Sequence, residues 1–118
     1  MSDDAKRTDE EARALRRDFE EAVNMSPSEL ERWLETPMSQ DVGMVREGEE
    51  EAVGHQSGRR IVAIKRKTVD ELDEDDYAHM RKVVGYVRRH AAQGGPKEDR
   101  AHSRWRYSLM NWGHDPMK

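Results

Sequence analysis

Cysteine is absent from this 118-residue sequence, and apolar side chains are scarce. Without cysteine the chain has neither disulfides nor thiolate metal ligands, a composition typical of a reducing compartment. Hydrophobic residues make up 34% and charged residues 39%, against about 45–50% and about 25% in ordinary globular proteins, so a small core is expected. No apolar run approaches the roughly 20 residues that cross a bilayer, and residues 1–11 lack an apolar signal-peptide core. These absences predict a cytoplasmic protein without a membrane partner.

Catalytic motifs are missing as well. The five histidines follow no zinc-ligand spacing, and no P-loop, dinucleotide-binding glycine motif or nucleophile elbow occurs. Asp75 and His79 are one helical turn apart, but this spacing favours a surface pair or a capping contact over a metal site. The carboxylates cluster in loops and at predicted helix starts, outside any apolar pocket that would raise a pKa. The sequence therefore predicts no enzymatic activity, metal, cofactor or small-molecule substrate.

Helix-start signals are what the sequence has in abundance. Thr8 and Glu11 form a capping-box pattern ahead of a helical apolar period over about residues 9–24. Ser26, followed by Pro27 and by Glu29 at the third helical position, begins a second helix that ends near Thr36. Residues 37–58 show no sustained period and include three consecutive glutamates at 49–51. They predict a long acidic loop, mobile in parts of 37–56.

Three more helices are expected in the second half of the chain. The segment GRRIVAIKRK (58–67) contains β-branched side chains that favour a strand, but Ser57 as an N-cap and the lack of a partner strand favour a helix. Asp73 caps a helix whose apolar stripe runs to Ala91 and which ends at residues 94–96. The last helix spans about residues 101–112, with Gly113 as its C-cap.

Together these signals predict an all-α fold: a single domain of four or five short helices over residues 9–118, preceded by a flexible N-terminus over residues 1–8. The long acidic loop lies between the second and third helices. The predicted core consists of the apolar residues at helical spacing, namely Phe19, Leu30, Trp33, Leu34, Ile61, Ile64, Met80, Val84, Val87, Trp105, Leu109 and Trp112.

Charge is distributed unevenly along the chain. Residues 1–58 contain 7 Lys/Arg and 16 Asp/Glu, whereas residues 59–118 contain 14 and 9. Outside residues 70–76, with their six carboxylates, the second half has a net charge of +11. A basic surface that attracts polyanions and a set of ordinary solvated charge clusters are equally compatible with this pattern.

The first functional hypothesis is non-enzymatic association with nucleic acid, most readily DNA, which would place the protein at the nucleoid. Arg81 and Lys82 recur two helical turns later as Arg88 and Arg89, which places four cations in one strip. The candidate phosphate-binding residues are these four and the cations of the preceding helix, namely Arg59, Arg60, Lys65, Arg66, Lys67, Arg81, Lys82, Arg88 and Arg89.

Gly85 lies in the middle of the cation strip, where a glycine permits close approach of a phosphate backbone or of a packed neighbouring helix. Packing is the preferred interpretation. The C-terminal segment RWRYSLMNWGHDPMK has the composition of a base-stacking patch, yet a chain with only seven aromatic residues needs its tryptophans in the core. A structural role is preferred there too, with His114 and Asp115 tying the end of the last helix to the domain.

The second functional hypothesis is a protein-interaction module. Acidic segments of one chain and the basic face of another are complementary, so a homodimer or a complex with a foreign protein would use the same charge pattern.

Four segments carry a resemblance to a known family: NMSPSELERWLET, VGHQSGRRIV, DEDDYAHMRKVVGYVRRH and WRYSLMNWGHDP. In this order, over about residues 10–116, they are similar to the uncharacterised bacterial and fungal domain of unknown function family 3140. Some members of that family are loosely labelled DNA-binding proteins. The resemblance thus favours the DNA hypothesis and assigns no catalytic residues.

Overall fold

The computed structural model describes residues 8–42 and 52–118, which form six α-helices, two short 3-10 helices and no strand. The α-helices are α1 (Asp9–Ala22), α2 (Pro27–Leu34), α3 (Pro37–Asp41), α4 (Val53–Lys65), α5 (Glu74–Ala92) and α6 (Arg104–Asn111), and the 3-10 helices are Val69–Glu71 and Arg100–His102. The predicted all-α class is confirmed. Within these ranges no helix combines the length and apolarity needed to cross a membrane.

Reciprocal side-chain caps begin α1, α2 and α5 where the sequence predicts them. The Thr8 hydroxyl accepts from the backbone N–H of Glu11 at 3.0 Å, while the Glu11 carboxylate accepts from the N–H of Thr8 at 2.8 Å. Ser26 begins α2 and Asp73 begins α5 in the same way. Thr8, the last residue of the predicted flexible N-terminus, is therefore the N-cap of α1. Residues 1–7 lie outside the described residues.

The predicted loop over residues 37–58 is wrong at both ends. Thr36 accepts a bond from the N–H of Ser39 and Pro37 occupies the first turn of α3, so the Thr-Pro pair that ends one helix also starts the next. At the other end, α4 begins at Val53, and Ser57 is a buried residue inside the helix and not its N-cap. Residues 43–51, which include the three glutamates, lie outside the described residues.

Glycine at position 58 is a packing residue and not a sign of a loop. A Cβ at Gly58 would lie 2.6 Å from the backbone oxygen of Asn111 and 2.7 Å from Cδ2 of Leu34. Only a residue without a side chain lets α4 approach α2 and α6 this closely. The helix therefore includes Gly58 because the tertiary contacts outweigh its poor helix propensity.

The core lies between two helix pairs, α1 with α5 and α2 with α4, and α6 contacts α2, α3, α4 and α5. Eleven of the twelve predicted core residues are buried; the exception, Trp105, is half-buried and packs against the core. Val23 and Val83 are fully buried and extend the core beyond the prediction.

The side chain of Asn111 is a polar centre inside this core. Its Oδ1 accepts from Trp33 Nε1 at 2.7 Å and from the Ser39 hydroxyl at 2.6 Å, and its Nδ2 donates to the Ser39 carbonyl at 2.9 Å. All three residues are buried. One amide thus joins α6 to both α2 and α3.

The C-terminal segment is tied to the turn between α1 and α2. Asn24 exchanges two hydrogen bonds with the backbone of Asp115, at 3.0 and 2.8 Å, and His114 Nδ1 lies 2.7 Å from the Ala22 carbonyl. Arg106 donates two bonds to the Asp115 carboxylate at 3.0 and 2.9 Å. The predicted role of His114 and Asp115 as a C-terminal lock is confirmed.

Asn111→Ala is expected to destabilise the protein by about 2–4 kcal/mol. It removes the hydrogen bonds that Asn111 makes to Trp33 Nε1 and to the hydroxyl and carbonyl of Ser39, all of which are buried. Urea unfolding followed by circular dichroism measures the change. Arg104→Ala, at an exposed position of the same helix, is the control and should cost less than about 0.5 kcal/mol. Equal stability of the two variants would contradict the role of Asn111.

Candidate functional site

The nine predicted phosphate-binding residues differ in whether a carboxylate of the same chain holds them. Ion pairs join Lys65 to Glu20 (3.3 Å), Arg66 to Glu31 (3.1 Å), Lys67 to Asp76 (2.7 Å), Arg60 to Asp76 (3.6 Å) and Arg88 to Asp18 (3.4 Å). Arg81, Lys82 and Arg89 form no ion pair within the described part of the chain. The structure therefore separates internally neutralised cations from uncompensated ones.

Asp76 is the most buried carboxylate in these pairs. Burial favours its neutral form and by itself would raise the pKa of Asp76, but the hydrogen bond from Lys67 and the N–H of Asp73 lower it below its usual value. The pKa of Lys67 is raised in turn by its hydrogen bond to Asp76. Lys67 thus stabilises the buried negative charge of Asp76 at the start of α5. Its ammonium group is therefore already paired within the protein.

The three uncompensated candidates lie on one exposed strip of α5. Residues seven apart occupy nearly the same angular position on a helix, two turns further along. Arg81 is therefore aligned with Arg88, and Lys82 with Arg89. All four side chains are exposed. Arg88 reaches Asp18 of α1, which places the α1 border of the strip at Arg88. We call Arg81, Lys82, Arg88 and Arg89 the cation strip.

The preferred interpretation of Gly85 as a helix-packing residue is wrong. Among the described residues, a Cβ at this position would meet only the guanidinium of Arg89, at 3.2 Å, and no other side chain or helix lies within 4 Å. The backbone of α5 is therefore open to solvent in the middle of the cation strip.

A cleft of about 560 Å³ opens between α4 and α5 next to this strip. Arg59, Arg60 and Lys82 contribute cations to its lining, and Ser57, His79 and Trp112 contribute hydroxyl, imidazole and indole groups. Ser57 Oγ lies 2.9 Å from His79 Nε2, which connects the two helices across the cleft. We call this region the basic cleft.

His79 is uncharged near neutral pH. Burial is the main cause, and the positive charges of Arg60 and Lys82 add to it, so that the pKa of His79 falls from 6.5 to about 4. The expected surface pair of His79 with Asp75 does not form, since the imidazole faces Ser57 and Trp112 instead. His79 is therefore a neutral hydrogen-bonding group in a positively charged environment.

Four rings stack in a column along α5. Trp112 lies between His79 (centroids 6.3 Å apart) and Tyr86 (4.2 Å), and Tyr86 stacks on His90 at 5.1 Å. His79 and Tyr86 are two turns apart, which leaves room for the indole between them. Trp112 is only 6% exposed, so its ring faces are covered. This burial confirms a structural position for Trp112, with its edge at the basic cleft.

Trp105 is held at the other end of the column. Its indole Nε1 donates to the His90 carbonyl at 2.9 Å, which satisfies a carbonyl in the last turn of α5. A Cβ at Gly95 would lie 2.4 Å from the Trp105 ring, so the indole rests directly on backbone. The C-terminal tryptophans therefore fix α6 against α5.

The structure brings Arg59 and Arg60 together with Lys82 but places Lys65, Arg66 and Lys67 among the carboxylates of α1, α2 and α5. Ser57, His79 and Trp112 were not among the candidate site residues. Only the i, i+7 spacing of His79 and Tyr86 hinted at a common ring-lined face. Among the described residues, no group of three or more His, Asp or Glu side chains is close enough to hold a metal ion.

Fold and surface define a small all-α protein with a ring-walled basic cleft beside the cation strip, in which Arg88 alone has a carboxylate partner among the described residues. A family model described as a protein of unknown function, DUF3140, matches residues 18–110. The chain belongs to the DUF3140 family. No curated protein and no solved structure shows significant similarity to it.

Acid should destabilise the fold through His79. The unfolded histidine takes up a proton near pH 6.5 and the folded one only near pH 4, so the contribution of His79 is complete above pH 6.5 and is lost as the pH falls through about 4. The free energy of unfolding, measured with urea, should therefore fall less between pH 6.5 and 4 in His79→Gln than in the wild type. An NMR titration that places the His79 pKa at or above 6.5 would contradict this assignment.

Proposed function

We propose that this protein is a non-enzymatic nucleic-acid-binding protein that contacts phosphates, DNA phosphates in particular, through the cation strip of α5 and the basic cleft. Arg81, Lys82 and Arg89 provide the main contacts, and Arg59 and Arg60 extend the surface across the cleft. The observation that carries the proposal is that three neighbouring cations of α5 have no carboxylate partner within the described residues, whereas five of the nine candidate cations each pair with one.

Uncompensated charge is significant in a protein of net charge −4. The chain has 25 Asp and Glu residues, so carboxylates that could pair with a surface cation are abundant. Lys65, Arg66, Lys67 and Arg88 show that such pairs do form here. A positive strip raises the local concentration of a polyanion even on an acidic protein, which supports polyanion binding at α5.

The partly exposed backbone at Gly85 supports a ligand of extended shape. Lys82 and Arg89 lie one turn before and one turn after this glycine on the same side of α5. A sugar–phosphate backbone that follows the strip would reach both cations while it passes directly over the Gly85 backbone. A side chain at position 85 would hold such a backbone away from the helix.

Base stacking is not part of the proposed binding mode. The faces of Trp112 are covered by His79 and Tyr86, so neither face of this indole is available for a nucleotide base. Contacts limited to phosphates predict binding that tolerates sequence and depends strongly on salt. Lys65, Arg66 and Lys67 should contribute less to the affinity for nucleic acid, because each would have to break its existing ion pair with a carboxylate before it could bind a phosphate.

Lys82→Ala/Arg89→Ala should weaken binding to a double-stranded DNA fragment and make the slope of log K against log salt shallower by about 2, close to one unit per lost phosphate contact. Fluorescence anisotropy over a salt series measures both.

Bound phosphate should also raise the pKa of His79, because its negative charge offsets Arg60 and Lys82.

Arg32→Ala/Arg66→Ala is the matched control for this experiment. It removes the same formal charge from α2 and the end of α4, and should change the slope by less than about 1. The proposal fails if the wild-type protein binds neither DNA nor RNA at low salt, or if the two double variants lose affinity equally.

Gly85→Ala is expected to stabilise the helix by about 0.5–1 kcal/mol, because alanine is the better helix former and, within the described residues, the new Cβ would meet only the flexible Arg89 side chain. The same change should weaken DNA binding, and Gly85→Leu should weaken it further. Thermal melting and anisotropy on both variants separate the two effects. Unchanged affinity in a folded Gly85→Leu protein would show that no ligand approaches Gly85.

A further inference from the structure

A second concave surface lies at the C-terminal end of α4 and does not include the cation strip. It is a groove of about 360 Å³ bordered by α1, the C-terminal part of α4 and the first 3-10 helix. Five apolar side chains line its floor, namely Phe19, Ile64, Val69, Leu72 and Met80. We call it the α1–α4 groove. Its volume is at the lower end of the roughly 300–1,000 Å³ typical of ligand sites, enough for one or two apolar side chains of a partner.

Val69 leaves the floor of this groove open to solvent. It is 55% exposed, the highest value among the large hydrophobic residues that the structure describes. Exposed apolar surface within a concave, polar-rimmed patch is typical of an interaction site. Single exposed hydrophobic residues are common, so the rim must decide what the groove would bind.

The rim of the α1–α4 groove is strongly positive. Five cations contribute to the lining, namely Arg13, Arg16, Arg17, Lys65 and Lys67, against a single carboxylate, Glu20. Glu20 contacts Lys65 at 3.3 Å, and Lys67 is held by Asp76. The three arginines belong to α1 and therefore come from the acidic half of the sequence.

These three arginines have no carboxylate partner within the described residues. Arg13 and Arg17 are one helical turn apart and exposed. Arg16 donates to the Tyr77 hydroxyl at 2.8 Å, a neutral acceptor that leaves the guanidinium charge uncompensated. An apolar floor beside three uncompensated guanidinium groups is complementary to acidic side chains that flank an apolar one.

From this complementarity we infer that the α1–α4 groove is a docking site for a short acidic segment of a partner protein that carries at least one large apolar side chain. The apolar side chain packs on Val69, Leu72 and Met80, and its acidic neighbours pair with Arg13, Arg16 and Arg17. A nucleic-acid backbone fits this groove less well, because it has no apolar group to bury there and would leave desolvated phosphates against the floor.

The probe is a fluorescein-labelled peptide with leucine and phenylalanine one helical turn apart among glutamates and aspartates. One control peptide has alanine in place of both apolar residues, and another has lysine in place of the acidic residues. Fluorescence anisotropy at low salt is expected to show binding about tenfold tighter for the first peptide than for either control, since both floor and rim contribute. No preference over the alanine control would overturn the inference.

Two variants locate the peptide on the protein. Val69→Asp places a negative charge on the floor, and Arg13→Gln/Arg17→Gln removes two rim charges; each should weaken peptide binding about tenfold. All three positions are exposed, so unchanged melting temperatures are expected. Lys82→Ala/Arg89→Ala should bind the peptide normally, which makes this inference independent of the proposed nucleic-acid surface.

Two further outcomes would reassign the groove. If Arg13→Gln/Arg17→Gln lowers DNA affinity as much as Lys82→Ala/Arg89→Ala does, the rim belongs to the nucleic-acid surface and the inference is wrong. Sedimentation equilibrium tests a second copy as the occupant. Self-association that Val69→Asp abolishes would overturn the assignment to a foreign partner.

Discussion

The amide of Asn111 has to satisfy three polar groups that water cannot reach, and the arrangement of α2, α3 and α6 depends on it. Both lone pairs of Oδ1 are used, one by Trp33 Nε1 and one by the Ser39 hydroxyl, so a shift of any of these helices breaks a bond that nothing else replaces. Gly58 brings α4 into contact with the Asn111 backbone. With little apolar surface available, this polar junction gives the small core a single, specific geometry.

The chain end completes the same assembly from outside the core. Gly113 adopts a φ of +81° and a Cβ there would lie 2.8 Å from Cγ1 of Val23, so glycine alone fits both the backbone turn and the contact. The backbone after Gly113 forms hydrogen bonds with Asn24 at Asp115, and Arg106 binds the Asp115 carboxylate. Trp112 thereby remains between His79 and Tyr86, where it forms one wall of the basic cleft.

Charge is the second organising feature, because the packing of the helices decides which cations keep a carboxylate partner. Lys65, Arg66 and Lys67 follow one another in sequence, yet they pair with α1, α2 and α5 respectively. On α5, Arg88 pairs with Asp18, while the neighbouring Arg89 has no carboxylate partner in the part of the chain that the structure describes. The outcome within the described residues is two separate positive surfaces of different shape, the cation strip and the rim of the α1–α4 groove.

Local signals in the sequence were sufficient for most of the helices. Thr8, Ser26 and Asp73 act on backbone groups within three residues of themselves, and apolar periods identified eleven buried core positions, because both depend only on helix geometry. The start of α3 after Thr36 was missed, since a Thr-Pro pair both ends and starts helices, and Ser57 was misread, since a buried serine inside a helix looks like a cap. The partners of Asn111 lie 72 and 78 residues away, and Ser57 meets His79 across 22 residues. Only the tertiary structure could decide these contacts, the opening at Gly85 and the sorting of the cations, because each depends on which distant side chains the packed helices bring within a few ångströms.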